Sequence, residues 1–124
     1  MYEYNAKVIK WVDGDTVDVD IDLGFGIIYA NQRIRLHGIN APETRTRDLA
    51  EKEKGLIAKE YVNRMAPVGS EIILKTHLDK KGKFGRILGE VLIHQERPGV
   101  PDTYLNLNSH MLQEGIVRVY GAKA

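Results

Sequence analysis

The sequence has no cysteine among its 124 residues. This absence excludes a disulfide framework, a thiolate zinc site and a thiol nucleophile, and it leaves the cellular compartment undetermined. No stretch approaches the ~20 apolar residues of a membrane-spanning helix, so we expect no membrane partner. The opening segment MYEYNAKVIKWV also lacks the charged-then-apolar layout of a signal peptide. We therefore expect either an intracellular protein or a secreted protein whose leader was removed.

The sequence also lacks a large net charge of either sign. The 18 lysines and arginines nearly balance 17 acidic residues, which leaves a formal net charge of +1. Attraction of the whole molecule to polyanions is therefore feeble, and any binding of nucleic acid must come from a local patch. We find no internal repeat, low-complexity run or linker, so residues 1–124 are expected to form a single domain.

Alternating side chains indicate β-structure in the first half of the chain. In TVDVDIDL (16–23), Val17, Val19 and Ile21 alternate with aspartates, which is the period of a half-buried strand. Further strands are predicted at 6–12 and 27–39, with the hairpin loop GFG at 24–26 before the third strand.

The second half of the chain mixes helices and strands. Asp48 and Glu51 fit a capping box for a helix over 48–66, and one face of that helix is predicted to consist of Ile57, Tyr61 and Met65. Strands over 70–78 and 86–93, a short helix over 105–114 and a strand over 116–120 follow. The order β-β-β-α-β-β-α-β predicts a mainly β (α+β) fold, a five-stranded OB-type barrel with two or three helices.

Several charged residues admit an ordinary interpretation when each is taken alone. Asp15 stands at the same alternate positions as Val17 and Val19, so its carboxylate is expected on the core side, where it needs a cation or good donors. The simpler interpretation is a turn residue that accepts backbone N–H bonds. Arg35 is typical of a surface strand, and Glu43 is typical of a solvated loop.

The basic loop DKKGKFGR (79–86) also has two interpretations. It is either a hairpin with solubilising lysines or a phosphate clamp, in which Lys83 and Arg86 supply cations and Phe84 supplies a surface for a base. The four histidines show no metal-ligand spacing and are interpreted as incidental; they are His37, His77, His94 and His110.

Taken together, four segments resemble the staphylococcal nuclease (thermonuclease) family. They are VDGDTV (12–17), RLHGINAPET (35–44), KFGR (83–86) and LNSHMLQEGIVRVY (107–120), and the likeness covers nearly the whole chain in the same order. The resemblance implies an OB-type barrel that cleaves phosphodiester bonds in DNA and RNA using calcium, with other divalent ions as alternatives. It implies no protein partner, and we expect a monomer.

The resemblance also implies roles for individual residues. Its metal ligands are Asp15, Asn40 and the carbonyl of Ala41; its catalytic residues are Arg35 and Arg86, which hold the scissile phosphate, and Glu43, which positions or activates the attacking water. Lys83 and Phe84 match residues that contact the terminal phosphate of the nucleotide. The base-stacking tyrosines of the family have no clear counterpart, and Tyr120 is the candidate to replace them.

Departures from the family pattern support a second interpretation. Asn40 stands where an aspartate is usual, which removes one negative charge and predicts weaker calcium binding. Phe84 lacks the hydroxyl of a tyrosine, and the stretch between Asp15 and Arg35 is several residues longer than in the secreted prototype. The alternative is therefore a catalytically weakened or inactive OB-fold module that binds nucleic acid or a protein partner.

Overall fold

The computed structural model describes residues 2–77, 87–96, 98–99 and 103–120. The expected mainly β fold with α-helices is confirmed. Its elements are β1 (Glu3–Asp13), β2 (Thr16–Asp22), β3 (Ile28–Leu36), β4 (Ile39–Asn40), α1 (Leu49–Met65), β5 (Glu71–His77), β6 (Ile87–Gln95), β7 (Thr103–Asn106), α2 (Leu107–Gln113) and β8 (Arg118–Val119).

Five strands close into a mixed barrel. They run in the order β3-β2-β1-β5-β6, and β6 then pairs with β3 to complete the circle. The closing pair is parallel and sets Arg35 opposite Leu88, whereas the other four pairs of the barrel are antiparallel. Strand β7 extends β6 at one edge, and β4 pairs separately with β8. The OB-type barrel predicted from the element order is thus confirmed.

Alternate apolar residues fill the barrel, as the sequence periodicity predicts. Val17, Val19 and Ile21 of β2 are at most 3% exposed. Trp11 is buried as well, and its indole N–H donates to the carbonyl of Ala66 at 2.8 Å. This hydrogen bond satisfies the one polar atom of the indole and ties β1 to the end of α1.

Helix α1 begins where the sequence predicts, because the side chain of Asp48 accepts the backbone N–H groups of Ala50 and Glu51. The predicted face holds only in part: Tyr61 and Met65 are partly buried and pack against the core, whereas Ile57 is 56% exposed. The buried residues of the helix are instead Gly55, Ala58 and Val62. Small side chains at these positions let the helix come close to the barrel, which spacing alone does not reveal.

The other boundaries differ where long-range pairing intervenes. The strand predicted over 27–39 is interrupted at Gly38, whose φ of +79° turns the chain between β3 and β4. The helix predicted over 105–114 starts at Leu107, because the preceding residues pair with β6 as β7. Across the described part of the chain, no helix has both the length and the apolar character needed to cross a membrane.

Candidate functional site

The turn between β1 and β2 buries a carboxylate. Asp15 is 9% exposed, and its Oδ1 accepts the hydroxyl of Thr16 at 2.9 Å while its Oδ2 accepts the N–H of Ala41 at 2.9 Å. Nη2 of Arg35 lies 3.5 Å from Oδ2. Asp15 therefore makes both of the contacts considered for it from the sequence. It accepts a backbone N–H, which comes from a loop distant in the chain, and it also lies beside a cation.

Arg35 is held in one orientation by the turn that follows β3. Its Nη1 donates to the carbonyls of Leu36 and Ile39 at 3.0 and 2.9 Å, and its Nη2 donates to Oδ1 of Asn40 at 3.0 Å. The side chain is only 12% exposed. Because a guanidinium is planar, these bonds fix the direction of the whole fork.

The loop that carries Glu43 is anchored on both sides of that residue to the β1–β2 turn. Before it, the N–H of Ala41 donates to Asp15; after it, the hydroxyl of Thr44 donates to Oδ1 of Asp13. Glu43 itself is exposed, and within the described residues its carboxylate accepts no hydrogen bond. The anchors therefore fix the backbone around a carboxylate that remains available to a ligand.

Helix α1 supports the same loop from behind. A Cβ added at Gly55 would lie 2.6 Å from the carbonyl oxygen of Glu43 and 2.8 Å from that of Pro42. A Cβ at Gly14 would lie 2.8 Å from the Cβ of Ala58 and 3.2 Å from that of Ala41. The helix thus touches both halves of the site through residues that have little or no side chain.

A cleft of about 670 Å³ opens beside this loop. Its walls are residues 40–43, the first turns of α1 and residues 115–118. Glu43 shares the cleft with the acids Asp48 and Glu51 and with the cations Lys54 and Arg118. The cleft is therefore polar and of mixed charge, which suits a solvated ligand better than an apolar one.

Tyr120 is brought to the same end of the barrel by the short pairing of β4 with β8. Its N–H donates to the carbonyl of Gly38 at 2.9 Å, and its ring centroid lies 5.6 Å from Cζ of Arg35. The ring is exposed. The predicted residues Lys83, Phe84 and Arg86 lie outside the described residues, so their roles stay predictions.

Comparison with known proteins identifies the family. A sequence model described as "Staphylococcal nuclease homologue" matches residues 33–124, which is most of the chain.

The chain belongs to the staphylococcal nuclease homologue family.

Relatives of this chain include an uncharacterized protein of Methanocaldococcus jannaschii, 30% identical over 134 residues and 94% of this chain. The micrococcal nuclease of Shigella flexneri is 26% identical over 128 residues and 95% of this chain. The thermonuclease of Staphylococcus hyicus is 27% identical over 116 residues and 94% of this chain. This chain spans 59% of the length of each of these relatives.

The predicted metal ligands fit a hard cation in the chemistry of their atoms but carry little negative charge. The Asp15 carboxylate, the Asn40 amide and the Ala41 carbonyl all offer oxygen, which calcium prefers. Only Asp15 is negative, and Arg35 stands beside it. Among the described residues, no three His, Cys, Asp or Glu side chains are grouped so as to hold a metal ion.

Sequence reasoning missed residues that act through packing or through contacts between distant segments. Gly55 gave no signal beyond being a glycine in a helix. The pairing of Thr44 with Asp13 and the stacking of His37 on His77 join residues far apart in the chain. The alternation of side chains after Ile34 places His37 on the same side as Arg35, but it does not reveal that His77 is the residue on which His37 stacks.

Proposed function

We propose that this chain is a metal-dependent nuclease, with calcium as the first candidate metal, that hydrolyses phosphodiester bonds in DNA and RNA with little sequence preference. The observation that carries the proposal is the meeting of Asp15, Arg35, Asn40 and the Glu43 loop at one end of the barrel. Membership of the family and the nuclease names of two relatives support it.

Arg35 would hold the scissile phosphate. Negative charge builds on the equatorial oxygens as a phosphodiester is attacked, and a guanidinium presents two parallel N–H donors to two such oxygens. Three of the five N–H groups of Arg35 are bonded to Leu36, Ile39 and Asn40, which fixes the plane of the guanidinium. Within the described residues, the Nε–H and one N–H of Nη2 form the pair that would face the phosphate.

Glu43 would orient the attacking water. An acceptor of this kind must lie within hydrogen-bond reach of the water and must not be consumed by another donor. Among the described residues, no donor is bonded to the exposed Glu43 carboxylate, so it is available to a water molecule. The hydrogen bonds of Ala41 and Thr44 hold the backbone on either side of it.

Asp15, Asn40 and the carbonyl of Ala41 would hold the divalent ion. When bound, such an ion neutralises charge on the phosphate and lowers the pKa of its water. The bond from Arg35 to Asn40 and its approach to Asp15 keep the guanidinium next to these ligands. One phosphate could therefore be shared between the cationic side chain and the metal site.

A cutting assay tests the proposal. Purified protein is incubated with single-stranded DNA or RNA in calcium, in other divalent ions, or in chelator. Cleavage with metal and none with chelator is the expected result, and equal cutting in both would refute the metal dependence. Glu43→Gln should abolish most cutting while the circular dichroism spectrum stays unchanged.

One observation favours the alternative of a weakened or inactive binding module. Asn40 contributes an amide where a carboxylate would add charge, and that amide is already bonded to Arg35. The same assay separates the two functions, because an inactive module binds the oligonucleotide but shows no cutting that Glu43→Gln could remove.

A further inference from the structure

Two histidines stack against each other on the outside of the barrel. The rings of His37 and His77 are 3.9 Å apart between centroids and only 3° from parallel. His77 ends β5, and His37 directly follows β3. The function proposed above uses neither residue.

A hydrogen-bond network orders this pair. A ring nitrogen of His77 contacts Oε2 of Glu90, and the side chain of Asn106 donates to Oε1 of Glu90 at 2.7 Å. Burial acts to raise the pKa of Glu90, but the hydrogen bonds from His77 and Asn106 lower it below its ordinary value. Glu90 is therefore a stable carboxylate that fixes the ring of His77.

The strand register places the pair next to Arg35. In one row across the sheet, Arg35 lies opposite Leu88, and Leu88 lies opposite His77. His37 lies two residues after Arg35, just past the end of β3, and in an extended chain such Cα atoms are roughly 6.5 Å apart. The pair is therefore a near neighbour of the residue proposed to hold the scissile phosphate.

We propose that the His37–His77 pair is a subsite for the phosphate next to the scissile one, and that it binds this phosphate when the pair carries a proton. The proposal rests on the proposed function, because it takes Arg35 as the holder of the scissile phosphate. Because Nε2 of His77 is bonded to Glu90, the phosphate would be met by Nδ1 of His77 and by the ring of His37. An imidazolium N–H donated to a phosphate oxygen is a charge-assisted hydrogen bond.

The charges around the pair support binding of an anion at low pH. Among the described residues, the sheet register places Arg35 from β3, Lys75 from β5 and the carboxylate of Glu90 from β6 beside the pair. Strand β7 and helix α2 contribute neutral asparagines, Asn106 and Asn108. Histidine changes charge between about pH 5 and pH 8, so phosphate binding is strong at the lower end of this range and is lost as pH rises.

The test measures binding without cleavage. Fluorescence anisotropy of a labelled thymidine oligonucleotide is recorded in chelator at about pH 5.5 and about pH 8, over a series of salt concentrations. Variants are His37→Phe, which keeps a ring for stacking but cannot be protonated, and His77→Gln. The matched control is His110→Gln, whose ring stacks on Tyr61 of helix α1 instead. Circular dichroism checks that each variant is folded.

For the unmodified protein we expect affinity to fall on the order of five-fold from the lower to the higher pH. The slope of log affinity against log salt should be steeper at low pH by about 0.7, the value of one single-strand phosphate contact. His37→Phe and His77→Gln should lose both effects, and His110→Gln should keep them. A His37→Phe variant that retains the full pH dependence would overturn the subsite, as would pH-independent binding by the unmodified protein.

A parallel cutting assay at about pH 8 separates this proposal from the proposed function. Cutting with pH-independent binding refutes the subsite alone. Absence of cutting together with pH-dependent binding that the histidine variants remove refutes hydrolysis and supports the phosphate subsite.

Discussion

The two ends of the β2–β3 hairpin invert the usual distribution of polarity. At one end, next to the pair Thr16 and Arg35, a carboxylate and a guanidinium are mostly buried. At the other end, around the pair Asp22 and Ile28, apolar side chains are exposed; they are Leu23, Phe25, Ile27, Ile28 and Tyr29. Hydrophobicity by itself therefore does not decide what this hairpin buries.

The difference lies in what contacts each end. Asp15 and Arg35 stay buried because the loop 39–44 supplies an N–H, a carbonyl and an amide oxygen that satisfy them. At the tip, Phe25 is 103% exposed and has a φ of +57°, a conformation that bulky residues avoid. Charged groups are buried in this hairpin where other elements contact it, and the following changes test that contrast in order of expected effect.

Arg35→Lys should have the largest effect, a fall in kcat/KM of about 10²–10³, because the three donors of a lysine cannot bond the loop carbonyls and also make a planar two-donor contact with a phosphate. Steady-state cleavage kinetics measure it. The matched control is Arg33→Lys, two residues earlier on the same strand, where the arginine makes an exposed pair with Asp18 at 2.9 Å. Comparable losses in the two variants would contradict the role of Arg35.

Gly55→Ala should lower kcat by up to about 10², since a shift of about 1 Å in a reacting group can cost that much. The new methyl group would press on the carbonyls of Pro42 and Glu43. In an unstrained helix, alanine would stabilise by about 1 kcal/mol relative to glycine, so the clash predicts the opposite sign. Thermal unfolding and kinetics are compared with Leu56→Ala on the exposed side; a higher Tm for Gly55→Ala would show that helix and loop are not in close contact.

Asn40→Asp should tighten calcium binding on the order of ten-fold, because it keeps the oxygen that accepts from Arg35 and adds a negative charge to the ion site. Calorimetric titration with calcium in the absence of nucleic acid gives the affinity directly. An unchanged affinity would remove Asn40 from the list of ligands.

Phe25→Asn should have the smallest effect, a gain of about 0.5 kcal/mol in the free energy of unfolding. Asparagine tolerates a positive φ better than phenylalanine does, and no burial is lost at a fully exposed position. Leu23→Asn, at an exposed neighbour without positive φ, is the control and should leave stability unchanged. Chemical denaturation measures both, and a clear loss of stability in Phe25→Asn would mean that the exposed ring contributes to folding.

Short segments of the sequence predicted much of the fold. The alternation in β2 predicted which residues enter the core, Asp48 predicted the start of α1, and the element order predicted the barrel. The apolar face predicted for α1 was right for Tyr61 and Met65, which pack against the core, and wrong for Ile57. Close contact with Pro42 and Glu43 buries Gly55 instead.

The sequence likewise predicted only part of the candidate site. The motifs placed Asp15, Arg35 and Glu43 in turns and at strand ends, where side chains are available for chemistry. They could not tell that Asp15 accepts the N–H of Ala41 or that His37 stacks on His77.

The sequence by itself determined the strand periodicity, the helix cap and the family motifs, since each depends on residues within a few positions of one another. Tertiary structure alone decided which carboxylate is buried beside which cation, and which outward side chains become neighbours. Such contacts depend on barrel closure, where the β3–β6 register brings distant segments within hydrogen-bonding distance.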